Sequence, residues 1–234
     1  MEWWQQIVDR IGPVGALVPS ARELLVLLGL VVAVVVLGPA WRAARLGVTL
    51  VHELGHAVIG VLCGRRFTGF VLRMDASGHA VTHGPTRGFG RVATTWAGYP
   101  APAVVGAVLI VAAAHGWAPP VLALALLILL GSLIRVRSVL TAVVLLALVS
   151  AVGLLWWAAD PLWQGLAVLG MGALLLVGSW RHLGSVARDR SRGSDPAVLA
   201  ALTPIPRILW IASFVMILGV VTWWAVLAII ALLP

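Results

Sequence analysis

The sequence predicts an all-α polytopic membrane protein of about seven transmembrane helices, with a small β-hairpin inserted after the second. Three observations predict it. Of 234 residues, 62% are hydrophobic and only 10% charged, whereas a soluble domain carries about 25% charged residues. Apolar runs of about 17–25 residues recur along the chain, each long enough to cross a bilayer. All 16 basic residues are arginines, and they stand at the ends of those runs. A net charge of +8 in this arrangement marks membrane topology beside anionic lipid, and excludes a nucleic-acid-binding patch.

The chain reads as one membrane-embedded domain over residues 1–234. Residues 1–21 hold Trp3, Trp4 and the Ile7–Val8 pair beside Asp9 and Arg10, the mixture expected of an interfacial amphipathic segment. They show no cleavage site, so no signal peptide is expected. The seven predicted spans are roughly 22–41, 46–63, 92–114, 118–134, 138–158, 161–180 and 207–233. The stretch 64–91 is different, being poor in leucine and rich in Gly, Thr, Arg and His. Residues 67–74 read as a strand, Ser77-Gly78 as a turn and residues 79–83 as the return strand. Residues 181–206 read as a cytoplasmic loop, inside which residues 195–203 form a short re-entrant helix closed by Pro204 and Pro206.

Counting arginines sets the expected orientation. With the N-terminus in the cytoplasm and seven alternating spans, only Arg42 and Arg45 fall outside, and the other arginines, Arg190 among them, fall inside. This is the sense of the positive-inside rule. Cys63 is the only cysteine, so neither an intramolecular disulfide nor a Cys-rich metal site is available.

Polar groups inside a span are costly and need a reason. His52, Glu53 and His56 lie inside the second span, in Val48-Thr-Leu-Val-His-Glu-Leu-Gly-His56. Residues four apart share a helix face, so both imidazoles can reach one ion. Glu53 lies about 100° round and can reach a metal-bound water without being a ligand. This is the H-E-x-x-H arrangement of zinc metalloproteases. A catalytic zinc needs a third protein ligand and an open position. Asp160 and His115 fall at the outer ends of spans, Asp75 reads as a turn residue, and His182 as an interfacial neighbour of Arg181. Asp195 on the re-entrant helix, and His79 or His83 on the hairpin, remain as third-ligand candidates. Asp195-Pro196 also reads as a helix start with Asp as N-cap, the pattern repeated at Asp160-Pro161. Thr49, Thr94 and Thr95 lie near the proposed site. Gly98, Pro100 and Pro102 interrupt the third span, freeing backbone groups for an extended substrate.

Val51-His52-Glu53-Leu54-Gly55-His56-Ala57 resembles the site-2 protease family of intramembrane zinc metalloproteases, and most of all its compact bacterial branch. The β-rich segment 64–91, the Ala97-Gly-Tyr-Pro-Ala-Pro102 element and the late Gly193-Ser-Asp-Pro196 resemble the same family. The family's Leu-Asp-Gly context and the Asn that follows its Gly-Pro element are absent here. The resemblance implies one Zn2+ per chain held by His52, His56 and Asp195, with Glu53 as general base. It implies a multi-pass protein of the bacterial cytoplasmic membrane. A transmembrane protein or peptide would be cut in or near its span, with Gly98, Pro100, His79 and His83 as substrate-binding candidates. Membrane lipid and an accessory membrane protein are the other expected partners. A catalytically silent scaffold of the same family is the alternative. A metal-handling transporter is less favoured, since neither an inverted repeat nor further intramembrane acids accompany the histidines.

Overall fold

The computed structural model describes residues 3–189 and 191–233. The expectations for Trp3 and Asp9 side chains and for Arg190 lie outside the described residues. Among the described residues, ten helices and one hairpin follow in order: α1 Trp3–Ile11, α2 Ala21–Val36, α3 Gly38–Leu62, β1 Arg66–Leu72, β2 Gly78–His83, α4 Phe89–Trp96, α5 Pro100–Ala114, α6 Ala118–Leu133, α7 Val139–Ala158, α8 Pro161–Arg188, α9 Asp195–Leu202 and α10 Arg207–Ile230.

Four helices, α3, α7, α8 and α10, are long and apolar enough to cross a membrane. A fifth span results if α4 and α5, bent by 57°, are counted as one. Two of the seven expected spans fall on helices below that length. Leu37 breaks the first predicted span with an extended conformation (φ −75, ψ 113), leaving a 16-residue helix. α6, also 16 residues, falls short of the roughly 20 residues a bilayer requires. α8 continues to Arg188, so 181–188 is helix and the loop begins only at Asp189.

The centre of the bundle is the contact of α5 with α8. Gly106 and Gly172 face each other so closely that a Cβ on either would stand 2.7 or 2.6 Å from the other's carbonyl oxygen. Small residues at a helix interface let backbones approach where lipid gives no hydrophobic drive. Ala103, Ala107, Ile110, Val168, Leu169 and Leu176 complete this core.

α2 runs alongside α8 in the same direction. Leu17 packs at Gly165, Leu27 at Gly170, and Arg181 donates to the Val35 carbonyl. Val14 and Leu17 hydrogen-bond to Gly116 and Ala114, while Arg10 exchanges hydrogen bonds with Trp156. The N-terminal segment therefore sits at the end of the bundle that carries the 115–117 turn and Asp160. His52 lies at the opposite end, beside His182, about 25 Å along α8 from Gly165 at 1.5 Å per residue. This corrects the expected topology, in which the N-terminus shared the side of the hairpin. Arg42 and Arg45 form no loop between spans. They lie in the first turns of α3, and Arg45 lines the same cavity as His52.

The hairpin is antiparallel, pairing Val71 with His79 and Phe70 with Ala80, with a bulge between Phe67 and Gly69. Its turn is closed by Arg73 N–H to Ser77 carbonyl. Asp75 Oδ1 accepts from both the N–H and the hydroxyl of Ser77, which holds its carboxyl below the ordinary range. The turn reading of Asp75 is therefore the observed one. Thr49 Oγ1 donates to Ala76 O at 2.8 Å and ties the hairpin tip to α3. The outer edge of β1 is taken: Phe70 N–H donates to Arg135 O, Leu72 N–H to Thr141 Oγ1 and Arg137 Nε to Thr68 O.

Because the α5–α8 contact has no room for a side chain, Gly106→Val and Gly172→Val should each cost about 1–3 kcal/mol through overpacking. Thermal unfolding in detergent should show a lowered midpoint for both. Gly219→Val, where no atom lies within 4 Å of the added Cβ, should leave the midpoint nearly unchanged.

Candidate metal centre

α3 presents one polar stripe. Arg45, Thr49, His52 and His56 are spaced by four, three and four residues, so they share a helix face, and all four line a cavity of about 330 Å³. α9 returns to this cavity from the loop after α8. Pro196 and Leu199 are buried and anchor it, and Arg207 donates to the Val186 and Asp189 carbonyls, fixing the loop. Ser194 is the N-cap of α9, and no side chain caps it. Asp195 is thus left free of capping, unlike Asp160, whose Oδ1 accepts from Trp163 N–H. The same Asp-Pro pair does two different things at two helix starts.

Asp195 Oδ2 lies 3.3 Å from Nε2 of both His52 and His56, and the two nitrogens are 3.1 Å apart. Four-coordinate zinc with bonds of about 2.0–2.1 Å separates its ligands by about 3.3–3.4 Å. Both carboxylate–imidazole distances have that spacing, and the two imidazoles lie slightly closer. His56 Nδ1 donates to Thr94 O at 2.7 Å, which leaves a lone pair on Nε2, the arrangement in which a metal-ligating histidine is commonly held by its other ring nitrogen. Asp195 Oδ2 is buried and lacks hydrogen-bond geometry to any group. A buried carboxylate oxygen aimed at two imidazole nitrogens without a hydrogen bond fits a metal position. Among the described residues, these three side chains alone form a group able to hold an ion.

The close approach needs glycine at two positions. A Cβ on Gly98 would collide with both imidazoles, standing 2.5 Å from His56 Nε2 and 2.7 Å from His52 Cε1. A Cβ on Gly55 would overlap Ala101. The break between α4 and α5 can therefore lie directly against the histidine pair.

Glu53 is buried on the hairpin side, where a Cβ on Gly78 would lie 2.7 Å from its Oε1. The chain belongs to the family described as Peptidase M50B-like, whose model matches residues 25–225. It is a member of the site-2 protease family. Membership implies a metallopeptidase, and with the apolar helices a multi-pass membrane protein. No curated protein and no solved structure matches the chain.

Of the other expected family-site residues, His79 lines the cavity but stands outside the donor group. His83 pairs with Arg66 at the far end of β2 and is not at the cavity. Pro100 is buried in the first turn of α5 without lining it. Among the four substrate-binding candidates, His79 lines the cavity and Gly98 lies against the imidazoles. Thr94 and Thr95 back-bond to the Gly90 and Arg91 carbonyls, as threonines in helices commonly do.

The cavity residues not read as site residues from sequence include Arg45, Arg91, Tyr99 and His182. Arg45 was legible in the stripe shared with His52. His182 continues the buried stripe Leu175, Ser179, Val186 of α8 at helical spacing, a signal hidden by ending the span at residue 180.

Gly98→Ala should displace the imidazoles and remove the metal while the helices persist. Metal analysis by plasma mass spectrometry, beside an unchanged far-ultraviolet circular dichroism spectrum, checks it. Gly131→Ala, at an open position, should keep the metal.

Proposed function

We propose that the protein is an intramembrane zinc metalloprotease that hydrolyses peptide bonds in or near transmembrane segments of membrane-protein substrates. The observation that carries the reading is the triangle of His52, His56 and Asp195 with zinc-like spacing, beside a buried, unligated Glu53. Zinc held there would supply Lewis acidity and lower the pKa of a bound water towards 7. Glu53 accepts the water proton and passes it to the leaving amine. His56 keeps its orientation through the Thr94 carbonyl.

The β2 edge is where a substrate strand would add. Phe70 N–H points away from β2 to Arg135 O, so its partner Ala80 points its own N–H and C=O away from β1. Ala80 borders the cavity. An unwound substrate segment added here would gain backbone hydrogen bonds, and its scissile bond would lie beside Glu53 across Gly78. His79 and Gly98 flank that path.

The orientation that supports this reading reverses the expected one. With the cavity end in the cytoplasm, Arg10 and Arg22 stand at the outer end, and the other described arginines belong to elements at the cavity end. The positive-inside bias survives because Arg42 and Arg45 change sides with the N-terminus. A bacterial cytoplasmic membrane is the membrane that fits.

Detergent-purified protein should contain about one zinc per chain, lost in Asp195→Ala and retained in Glu53→Gln and His79→Ala. Cleavage of fluorogenic single-span peptides co-reconstituted in liposomes should fall at least about 100-fold in Glu53→Gln. Zinc retained in Asp195→Ala would sink the ligand assignment. Full cleavage by Glu53→Gln would sink the mechanism. A cysteine placed near the N-terminus, in a Cys63→Ala background, should react with a membrane-impermeant maleimide from outside intact cells.

A further inference from the structure

Resting on the metallopeptidase reading, we propose that Tyr99 and His182 form the oxyanion-binding pair of this enzyme. When water adds to the scissile carbonyl carbon, the carbonyl π pair moves onto its oxygen, and the developing charge needs preorganised donors.

Tyr99 follows Gly98 at the break between α4 and α5, and His182 projects from α8. Their rings are 5.5 Å apart, and each packs on His52, at 4.9 Å for Tyr99 and 5.4 Å for His182. Both line the cavity. Among the described residues, neither the Tyr99 hydroxyl nor either ring nitrogen of His182 has a hydrogen-bond partner, and none of these atoms is sealed from solvent. The rings are nonetheless held. Tyr99 stacks on Phe214 at 5.2 Å and is itself only 9% exposed. Fixed rings that line the cavity and carry unpaired polar atoms are donors waiting for an acceptor, since a phenol and an imidazole each carry at least one N–H or O–H.

Their position suits the chemistry. Glu53 flanks the donor triangle on the hairpin side, against Gly78 and Thr49. Tyr99 and His182 flank it on the α8 side. A substrate carbonyl between them would meet the base-activated water on one flank and two donors on the other. As the C–N bond breaks, the pair on oxygen returns to the carbonyl, and the amine nitrogen takes the proton that Glu53 removed from water. The hydroxyl and the imidazole neither gain nor lose a proton over the cycle.

The test uses the zinc-loaded full chain in detergent, as wild type, Tyr99→Phe and His182→Phe. Both replacements keep an aromatic ring in the stack. Two probes are titrated calorimetrically: a phosphinate isostere of N-acetyl-dialanine amide, which carries the tetrahedral anion, and N-acetylcysteamine, a metal-binding thiol without one. Each variant should bind the phosphinate about ten-fold or more weakly, with zinc content and thiol affinity unchanged. Equal phosphinate affinity in all three proteins overturns the assignment. So does a parallel loss for both probes, which is the mark of a packing role. Wild type that binds the thiol but not the phosphinate overturns the oxyanion pair and leaves the metal centre standing. Wild type that takes up no zinc and binds neither probe overturns the metallopeptidase reading, and the pair with it.

Discussion

Everything at the functional end depends on how closely the break between α4 and α5 can lie against α3. Gly98 has no Cβ to hold the His52 and His56 rings away, and Gly55 gives Ala101 its place. The contact brings Thr94 O within hydrogen-bonding reach of His56 Nδ1 and sets Tyr99 beside His52. A helix alone could offer the imidazoles, but it could not fix their rotamers. The broken span does so by steric contact on one side and a hydrogen bond on the other, and α9 then delivers Asp195 to the remaining open face.

The hairpin serves the same centre from the opposite flank. Its outer strand is paired with the α6–α7 connection, and Gly69 permits that approach because a Cβ there would lie 2.5 Å from Arg135 O. Its tip is tied to α3 through Thr49. With β1 covered and β2 facing the cavity, the sheet has one usable edge. Unpaired edges are normally a liability. Here the edge borders the cavity that His52, His56 and Asp195 line.

The N-terminal segment shows that a charge count alone does not fix which end of the bundle a segment joins. Arg10 and Arg22 exchange roles with Arg42 and Arg45, so the bias between the two sides is the same in either arrangement. Loop counting assumed an out-and-back pair of spans around residue 42. In the structure Leu37 redirects the chain straight into α3, and hydrogen bonds from Val14 and Leu17 to the 114–116 turn place the N-terminal segment at the far end.

The sequence by itself determined the class of molecule, the H-E-x-x-H helix, the hairpin after it and the short helix beginning at Asp195. Each of these is local: apolar run length, helical spacing and turn residues are written in consecutive positions. It could not separate Asp195 from His79 as the third donor on spacing alone, because the choice depends on which loop returns to α3. It also hid His182 and Tyr99. Those outcomes were decided by tertiary structure, where the 57° bend between α4 and α5, the glycine contacts and the fixed return of α9 select among residues whose local patterns are equivalent.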